Sequence, residues 1–243
     1  MGVIIKPYLP GNKISYAICD RNFAEKISDV TIIPSYRENS ILSGIDTHPD
    51  MSICPLGKEF FAVSKNSFDY YSKLLYNLPV KLIKGENDLK SNYPYDIAMN
   101  VVILNGCLFH NLMYTDKAIL KFAEINGLKL VNVKQGYTKC STLIVEENAV
   151  ITSDFGLFKA YSENGIEALL ISPGSIKLKN FDYGFIGGAG GKISKNEMLL
   201  FGDVTTHPDF DKIERFLAEK NIKYVCTGGE LTDFGSLVPL WEN

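Results

Sequence analysis

The chain has 243 residues, of which 46% are hydrophobic and 22% are charged, and its formal net charge is −3. This balance is typical of a folded globular protein and excludes a disordered tail or a fibre. No apolar stretch approaches the roughly 18 residues of a membrane helix, and the first residues do not resemble a cleavable signal. Acidic residues outnumber basic ones, which argues against a nucleic-acid partner. We therefore expect a cytoplasmic protein with no membrane and no nucleic-acid partner.

The five cysteines are scattered, odd in number and never spaced as CxxC. This pattern indicates reduced thiols rather than a disulfide framework. Most of them lie in apolar runs, where a cysteine serves as a small hydrophobic residue. Cys140, in GYTKCST, has polar neighbours on both sides and is the exception.

Local patterns along the chain repeat in a fixed order. The N-terminal part predicts a strand at 3–9, a helix at 20–28 and a strand at 30–36. From residue 51 onward a hairpin, a helix and an apolar strand return four times. The hairpins cover 51–66, 97–111, 139–153 and 191–203, the helices 67–77, 114–128, 154–165 and 208–221, and the following strands 80–85, 128–136, 167–174 and 222–229.

The ends of these elements carry their own signals. Asn105-Gly106 is a strong hairpin turn. Asp116 and either Ser153 or Asp154 are placed to cap helices, and Asn-Gly pairs at 126–127 and 164–165 are placed to end them. Pro208 fits the first turn of a helix, where a missing N–H is tolerated.

The hairpin turns recur about every 45 residues, so five units account for the chain. The predicted units are 46–90, 91–136, 137–182, 183–229, and 230–243 joined with 1–45. The last unit is split, because residues 235–241 have the pattern of a lone strand that pairing with the N-terminal part would complete. A single domain, 1–243, follows, since no long linker interrupts the repeats.

Five strand–strand–helix–strand units closed by a C-terminal strand resemble the pentein fold of the guanidino-group-modifying enzymes. That superfamily includes arginine deiminases, agmatine deiminases and dimethylarginine dimethylaminohydrolases, and it has a ribosome-binding initiation factor as a non-catalytic relative. The resemblance implies an α/β fold, a five-fold pseudosymmetric propeller. Segments 137–153 and 228–240 are similar in layout to those that carry the catalytic His and Cys of the dimethylarginine hydrolases.

The family's catalytic residues are absent from these segments. Tyr137 stands near the expected histidine, and the expected cysteine falls on Asp233, Phe234 or Gly235. No Cys or His follows Cys226 in the chain. The standard deiminase mechanism, in which a thiolate attacks a guanidinium carbon while a histidine moves protons, is therefore not available at the family's positions.

The resemblance also implies that residues just ahead of each first strand converge on one central pocket. Among these residues, Cys140 is the candidate nucleophile and His48 the candidate acid/base, with Asp50 and Asp233 holding a cation. Together they predict an acidic pocket for a small cationic, guanidino or amine ligand, and hydrolysis at a C–N bond without a cofactor. The candidate ligand-binding residues are Asp96, Asn100, Tyr137, Lys139, Gly188, Gly190 and Thr232.

Each of these residues also has a simpler interpretation. Cys140 fits a semi-buried structural cysteine, with strand alternation turning Lys139 to the opposite side. His48-Pro49-Asp50 fits a turn that leads into a strand. The glycines at 187–191 either leave room for a ligand or let the chain pack closely.

The tetrapeptide THPD occurs twice, at 47–50 and 206–209. Its two copies precede different elements, a strand and a helix, so we do not expect their histidines to converge, and we predict no metal site. His110 fits a surface or hydrogen-bonded polar position.

Two functions remain open from the sequence. The first is a C–N hydrolase of the guanidino-modifying fold, with Cys140 as its nucleophile. The alternative is a non-catalytic pentein that binds a ligand or a macromolecule, which the missing family residues favour. The sequence leaves the oligomeric state open.

Overall fold

The computed structural model describes residues 2–3, 6–23, 27 and 29–242. The N-terminal strands are β1 (Gly2–Val3), β2 (Ile14–Cys19) and β3 (Thr31–Pro34). Four units follow, each with two strands, a helix and a third strand. They comprise β4 (Ile53–Gly57), β5 (Phe60–Val63), α1 (Phe68–Leu74) and β6 (Lys81–Lys84); β7 (Val102–Leu104), β8 (Cys107–His110), α2 (Lys117–Ile125) and β9 (Lys129–Asn132); β10 (Thr142–Glu146), β11 (Ala149–Thr152), α3 (Phe155–Glu163) and β12 (Glu167–Leu170); β13 (Gly190–Ser194), β14 (Glu197–Leu200), α4 (Phe210–Glu219) and β15 (Lys223–Cys226).

Each of the four units forms its own three-stranded sheet, so the predicted repeat is confirmed. The first two strands pair antiparallel as a hairpin, and the third pairs parallel with the second. A parallel partner requires a crossover, and the helix supplies it. The fold is therefore mixed α/β, built from five small sheets.

The turns and caps behave largely as their residues predict. Asn105 and Gly106 both have positive φ, at 49° and 71°, as the tight hairpin requires. Asp116 accepts a hydrogen bond from the backbone N–H of Ala118, at 2.8 Å, and so caps α2. The placement of Pro208 differs from the prediction. It lies ahead of Asp209, the cap of α4, and so outside the first turn.

The fifth sheet joins the two ends of the chain, in the order β1-β16-β2-β3, where β16 is Val238–Glu242. The strand predicted at 3–9 includes residues 4 and 5, which lie outside the described residues. Among the described ones, Val3 of β1 pairs with β16, whereas Lys6–Leu9 closes a turn and Pro7 has no N–H for a ladder, so this segment is not the main partner of β16. β2 takes that place and pairs antiparallel with β16. The predicted helix at 20–28 includes residues 24–26 and 28, which lie outside the described residues.

Buried tyrosines fix the starts of two units. Tyr71 of α1 and Tyr161 of α3 are fully buried. Their hydroxyls lie 2.9 Å from Ser52 Oγ and 2.8 Å from Thr142 Oγ1. Each contact holds the start of a first strand, directly after the segment in which candidate site residues lie. Every helix among the described residues is too short or too polar to cross a lipid bilayer.

Candidate functional site

Segments from all five units meet where the first strands begin. The backbone N–H of Asp50 donates to Gly235 O at 3.3 Å, and that of Gly188 donates to Cys140 O at 3.1 Å. The Asn100 side chain joins the remaining unit, because its Oδ1 accepts from the backbone N–H of Cys140 at 3.0 Å. The structure thus brings together segments up to 186 residues apart in the chain.

Cys140 lies at the centre of this cluster. Its thiol donates to Asp50 Oδ2 at 3.1 Å and accepts from Asn100 Nδ2 at 3.0 Å. One ring nitrogen of His48 lies within 4.8 Å of the Cys140 sulfur and of an Asp50 oxygen. Asp50 and Cys140 are 90 positions apart in the chain, so this contact depends entirely on the tertiary fold. The candidate nucleophile and the candidate acid/base are therefore neighbours in space.

Lys139 points away from the pocket and into the protein interior. Its ammonium donates to Thr142 O, to Gly187 O and to Ser236 Oγ, at 3.3, 3.0 and 2.7 Å. Three acceptors match the three N–H bonds of a charged ammonium. Ser236 Oγ also donates to Asp50 Oδ2 at 3.0 Å. Lys139 therefore supports Asp50 through Ser236 and is not positioned to touch a ligand.

His48 and Asp233 form the second pair of the site. His48 Nδ1 lies 3.6 Å from Asp233 Oδ1, and both side chains are buried. Asp233 is fixed by the backbone N–H groups of Phe185 and Gly235, each donating at 2.9 Å. Gly235, which has φ +68°, packs so closely that a Cβ there would lie 2.2 Å from His48 Cβ. The imidazole is thus held between a carboxylate and a glycine.

A pocket of about 230 Å³ opens onto these residues. Three site residues line it: His48, Cys140 and Asp233. Its other walls are apolar or aromatic, with one further carboxylate, and comprise Ile45, Tyr137, Leu178, Phe181, Asp182, Tyr183 and Phe185. Aromatic faces together with carboxylates suit a flat organic cation.

Burial controls the ionisation of the cluster. It raises the pKa of the Asp50 carboxyl to about 6, although His48 and Lys139 oppose this effect. Burial, together with Asp50 and Asp233, also raises the pKa of the Cys140 thiol well above its usual value. The resting sulfur is therefore a thiol, and a cation bound beside it would favour the thiolate.

The other predicted ligand-binding residues lie behind or outside this pocket. Asp96 is buried and accepts a 2.6 Å hydrogen bond from the Tyr137 hydroxyl, so it supports the pocket wall. A Cβ at Gly188 would lie 1.8 Å from Asp233 Oδ1, which shows that this glycine serves close packing. Gly190 pairs with Leu200 in the β13–β14 hairpin. Thr232 borders a neighbouring cavity with Asp233.

The two THPD copies have different surroundings. The first forms a single 3-10 turn at Pro49–Met51 and also supplies His48 and Asp50 to the site, so the turn and the functional interpretations are compatible. In the second copy, Asp209 accepts from the backbone N–H of Ser172 and pairs with Lys212. His110 is buried and hydrogen-bonded to Thr115 and Gly136, consistent with the polar interpretation.

The aromatic wall of the pocket was not predicted from the sequence. Phe181, Asp182, Tyr183 and Phe185 lie in the irregular segment between β12 and β13, where no hydrophobic period marks a buried face. Their run, FDYGF, carries three aromatic residues around a glycine in a loop. Exposed aromatic residues in a loop are the signal that points to a binding surface.

Comparisons with known proteins agree on the fold. An inosamine-phosphate amidinotransferase from Streptomyces griseus is 10% identical, with a TM-score of 0.58 over 98% of this chain and 97% of that one. An agmatine deiminase from C. jejuni is 11% identical, with a TM-score of 0.55 over 94% and 92%. DDAH from Pseudomonas aeruginosa, bound to citrulline, is 9% identical, with a TM-score of 0.54 over 89% and 92%.

At the level of sequence, no curated protein matches the chain. Residues 16–238 match the model of a family described as "Family of unknown function (DUF6873)". The chain therefore belongs to this family, and its fold is that of the pentein superfamily.

Proposed function

We propose that this protein binds a small guanidino or amidine cation in the pocket beside Cys140 and hydrolyses one of its C–N bonds. The observation that carries the proposal is the placement of the Cys140 sulfur, which lines the pocket within 4.8 Å of a His48 ring nitrogen. A nucleophile with an adjacent acid/base is the minimum arrangement for covalent catalysis.

The pocket walls fit the proposed ligand. A guanidinium group is planar, carries a delocalised positive charge and has N–H bonds around its edge. Aromatic faces attract such a cation, and Tyr137 and Phe185 offer two, with ring centroids 6.2 Å apart. Asp233 lies at the same pocket and offers a carboxylate for the N–H edge.

The reaction requires proton transfers both when the covalent intermediate forms and when it is hydrolysed. The Cys140 thiol gives its proton to Asp50, the acceptor of its hydrogen bond. The sulfur then forms a bond to the central carbon of the cation, and one C–N bond breaks as His48 protonates the departing amine. Water adds to the resulting thiouronium carbon and gives one proton to His48, and its second proton leaves to the solvent as the C=O bond forms. The C–S bond then breaks and Asp50 returns its proton to the sulfur, so the thiol is restored and the product carries a new C–O bond.

We further infer that the five sheets are blades of one closed propeller spanning residues 1–243. The pairing of β16 with β1 and β2 supports this inference, because it joins the two ends of the chain in one sheet. A closed arrangement would surround the pocket with all five units.

A binding function without turnover is the second candidate. Burial, which raises the pKa of the Cys140 thiol well above its usual value, favours it, as does the lack of any Cys or His after Cys226 in the sequence. In that case the pocket retains its cation but Cys140 acts only as a packing residue.

Two measurements test the proposal. Thermal unfolding is followed with agmatine, arginine and a neutral amide of similar size, each in the presence of EDTA. We expect the cations, and not the amide, to raise the Tm, and Asp233→Asn to reduce the shift. Mass spectrometry then follows conversion of any ligand that binds, and Cys140→Ala should abolish it.

The outcomes separate the two candidates. A Tm shift with turnover that depends on Cys140 supports the hydrolase. A Tm shift without turnover supports the binding function. No shift with any guanidine, amidine or amine contradicts both. Asp211→Asn is a matched control, since Asp211 lies in the first turn of α4 and outside the pocket.

A further inference from the structure

Three potential metal ligands of different chemistry meet at Cys140. One ligand atom each from His48, Asp50 and Cys140 lies within 4.8 Å of the other two. The three residues are 2%, 0% and 3% exposed. A tetrahedral ion with bonds of about 2.0–2.3 Å holds its ligand atoms about 3–4 Å apart, so small side-chain movements would bring these atoms to coordination distance.

One oxygen of this cluster, Asp50 Oδ1, is buried without a hydrogen-bond partner. His48 Nδ1 also lacks a hydrogen bond, but it faces Asp233, so Nε2 is the ring nitrogen left for an ion. An unpartnered buried polar atom is costly, and a bound ion or water molecule can remove that cost. Asp50 Oδ2 is already engaged by Cys140 and Ser236, which leaves Oδ1 for another partner.

The surrounding groups resemble those that orient metal ligands. Asp233 Oδ1 lies 3.6 Å from His48 Nδ1, in the place where a carboxylate fixes the ring of a metal-bound histidine. Asn100 donates to the Cys140 sulfur, and Ser236 donates to Asp50. Each of the three potential ligands therefore has a polar partner behind it.

The local charges also suit a divalent ion. Once Cys140 is a thiolate, it adds to the negative charges of Asp50 and Asp233, while Lys139 supplies one positive charge through Ser236. Two negative charges remain to be balanced. Thiolate, imidazole and carboxylate ligands together favour Zn²⁺ or Co²⁺ over Mg²⁺ or Ca²⁺.

We propose that His48, Asp50 and Cys140 form a three-ligand site for a zinc-class divalent cation. Binding replaces the Cys140 S–H bond with a sulfur–metal bond and releases the proton to solvent. His48 and Cys140 line the pocket, so the fourth position of the ion faces it and is open to water. If the proposed hydrolysis holds, the ion occupies the same sulfur and acts as a reversible inhibitor of that reaction.

Cobalt(II) chloride is the probe, added to protein that was first stripped with EDTA and dialysed. We expect about one equivalent of Co²⁺ to bind and to produce the near-ultraviolet sulfur-to-cobalt charge-transfer band of a thiolate ligand. Cys140→Ser should remove this band, and His48→Gln should weaken binding at least about tenfold. Asp233→Asn should weaken binding about 10–100-fold, as loss of an outer carboxylate does elsewhere.

Two control variants match the site residues outside the cluster. His207→Gln changes the histidine of the second THPD copy, and Cys226→Ser removes a partly exposed thiol. Both should keep the full band. Circular dichroism identifies which variants are folded, and the wild-type titration tests the proposal even if one variant is not.

The proposal is overturned if the wild-type protein shows no charge-transfer band. It is equally overturned if Cys140→Ser keeps the band or Cys226→Ser loses it, because the ion then binds another thiol. The Tm shift with guanidines is measured in EDTA, so its outcome is independent of this one.

Discussion

His110 makes the stability of the protein depend on pH in a way that the structure specifies. Its ring is fully buried, with Nε2 2.9 Å from Gly136 O and Nδ1 2.7 Å from Thr115 Oγ1. This network assigns the proton to Nε2, which donates to the carbonyl, while Nδ1 accepts from the hydroxyl. Burial lowers the pKa of His110 from 6.5 to about 4.

The sign of the effect follows from which state binds the proton. Between pH 6.5 and about 4 the unfolded chain is protonated at His110 and the folded protein is not. The free energy of unfolding therefore decreases as the pH falls, by up to about 1.4 kcal/mol per pH unit. Across this window the expected loss is about 3 kcal/mol, and it is complete below the folded-state pKa.

Urea unfolding of the wild-type protein and of His110→Gln measures this contribution. The variant is less stable near pH 7.5, because it loses the fitted ring, and the difference should shrink by about 2.5 kcal/mol at about pH 4.5. Other titrating groups affect both proteins and cancel in the comparison. Parallel stability curves for the two proteins would refute the reasoning, as would a His110 NMR titration with a midpoint near 6.5.

Three further predictions concern the framework. Asp116→Ala removes a buried carboxylate that accepts from the N–H groups of Ala118, Glu86 and Asn87, and should lower the free energy of unfolding in urea by about 2–4 kcal/mol. The matched change Asp203→Ala, at a more accessible cap, should lower it by much less. Gly187→Ala places a Cβ 2.3 Å from two backbone oxygens, so it should lower the free energy of unfolding by about 3 kcal/mol or prevent folding. An unchanged Tm would contradict the close packing at this glycine. Tyr161→Phe removes the hydroxyl beside Thr142, which still donates to Thr138 O, so a loss of only about 1 kcal/mol in thermal unfolding is expected.

Much of the architecture was predictable because its signals are local. The Asn105-Gly106 turn and the cap at Asp116 require only their own residues and immediate neighbours, so they identify hairpins and helices without knowledge of the fold. Their recurrence gives the repeat. The N-terminal region was harder, because β2 and β16 pair across almost the whole chain and no local pattern fixes such a register.

The site was predictable as a set of chain positions but not as a set of roles. Placing the starts of the first strands together gave His48, Asp50, Cys140 and Asp233, which the structure brings together. Strand alternation alone did not determine where Lys139 points, because residues 139 and 140 precede β10 and follow the geometry of a turn. The acceptors around the ammonium come from Thr142, Gly187 and Ser236.

The sequence by itself determined the repeating α/β units and the segments from which a site is built, because hydrophobic period and turn chemistry act over a few residues. Only the tertiary structure decided that Cys140 contacts Asp50, that Lys139 supports the site from the interior, and that an aromatic loop walls the pocket. These are contacts between distant segments, and their geometry depends on how the sheets pack rather than on any local propensity.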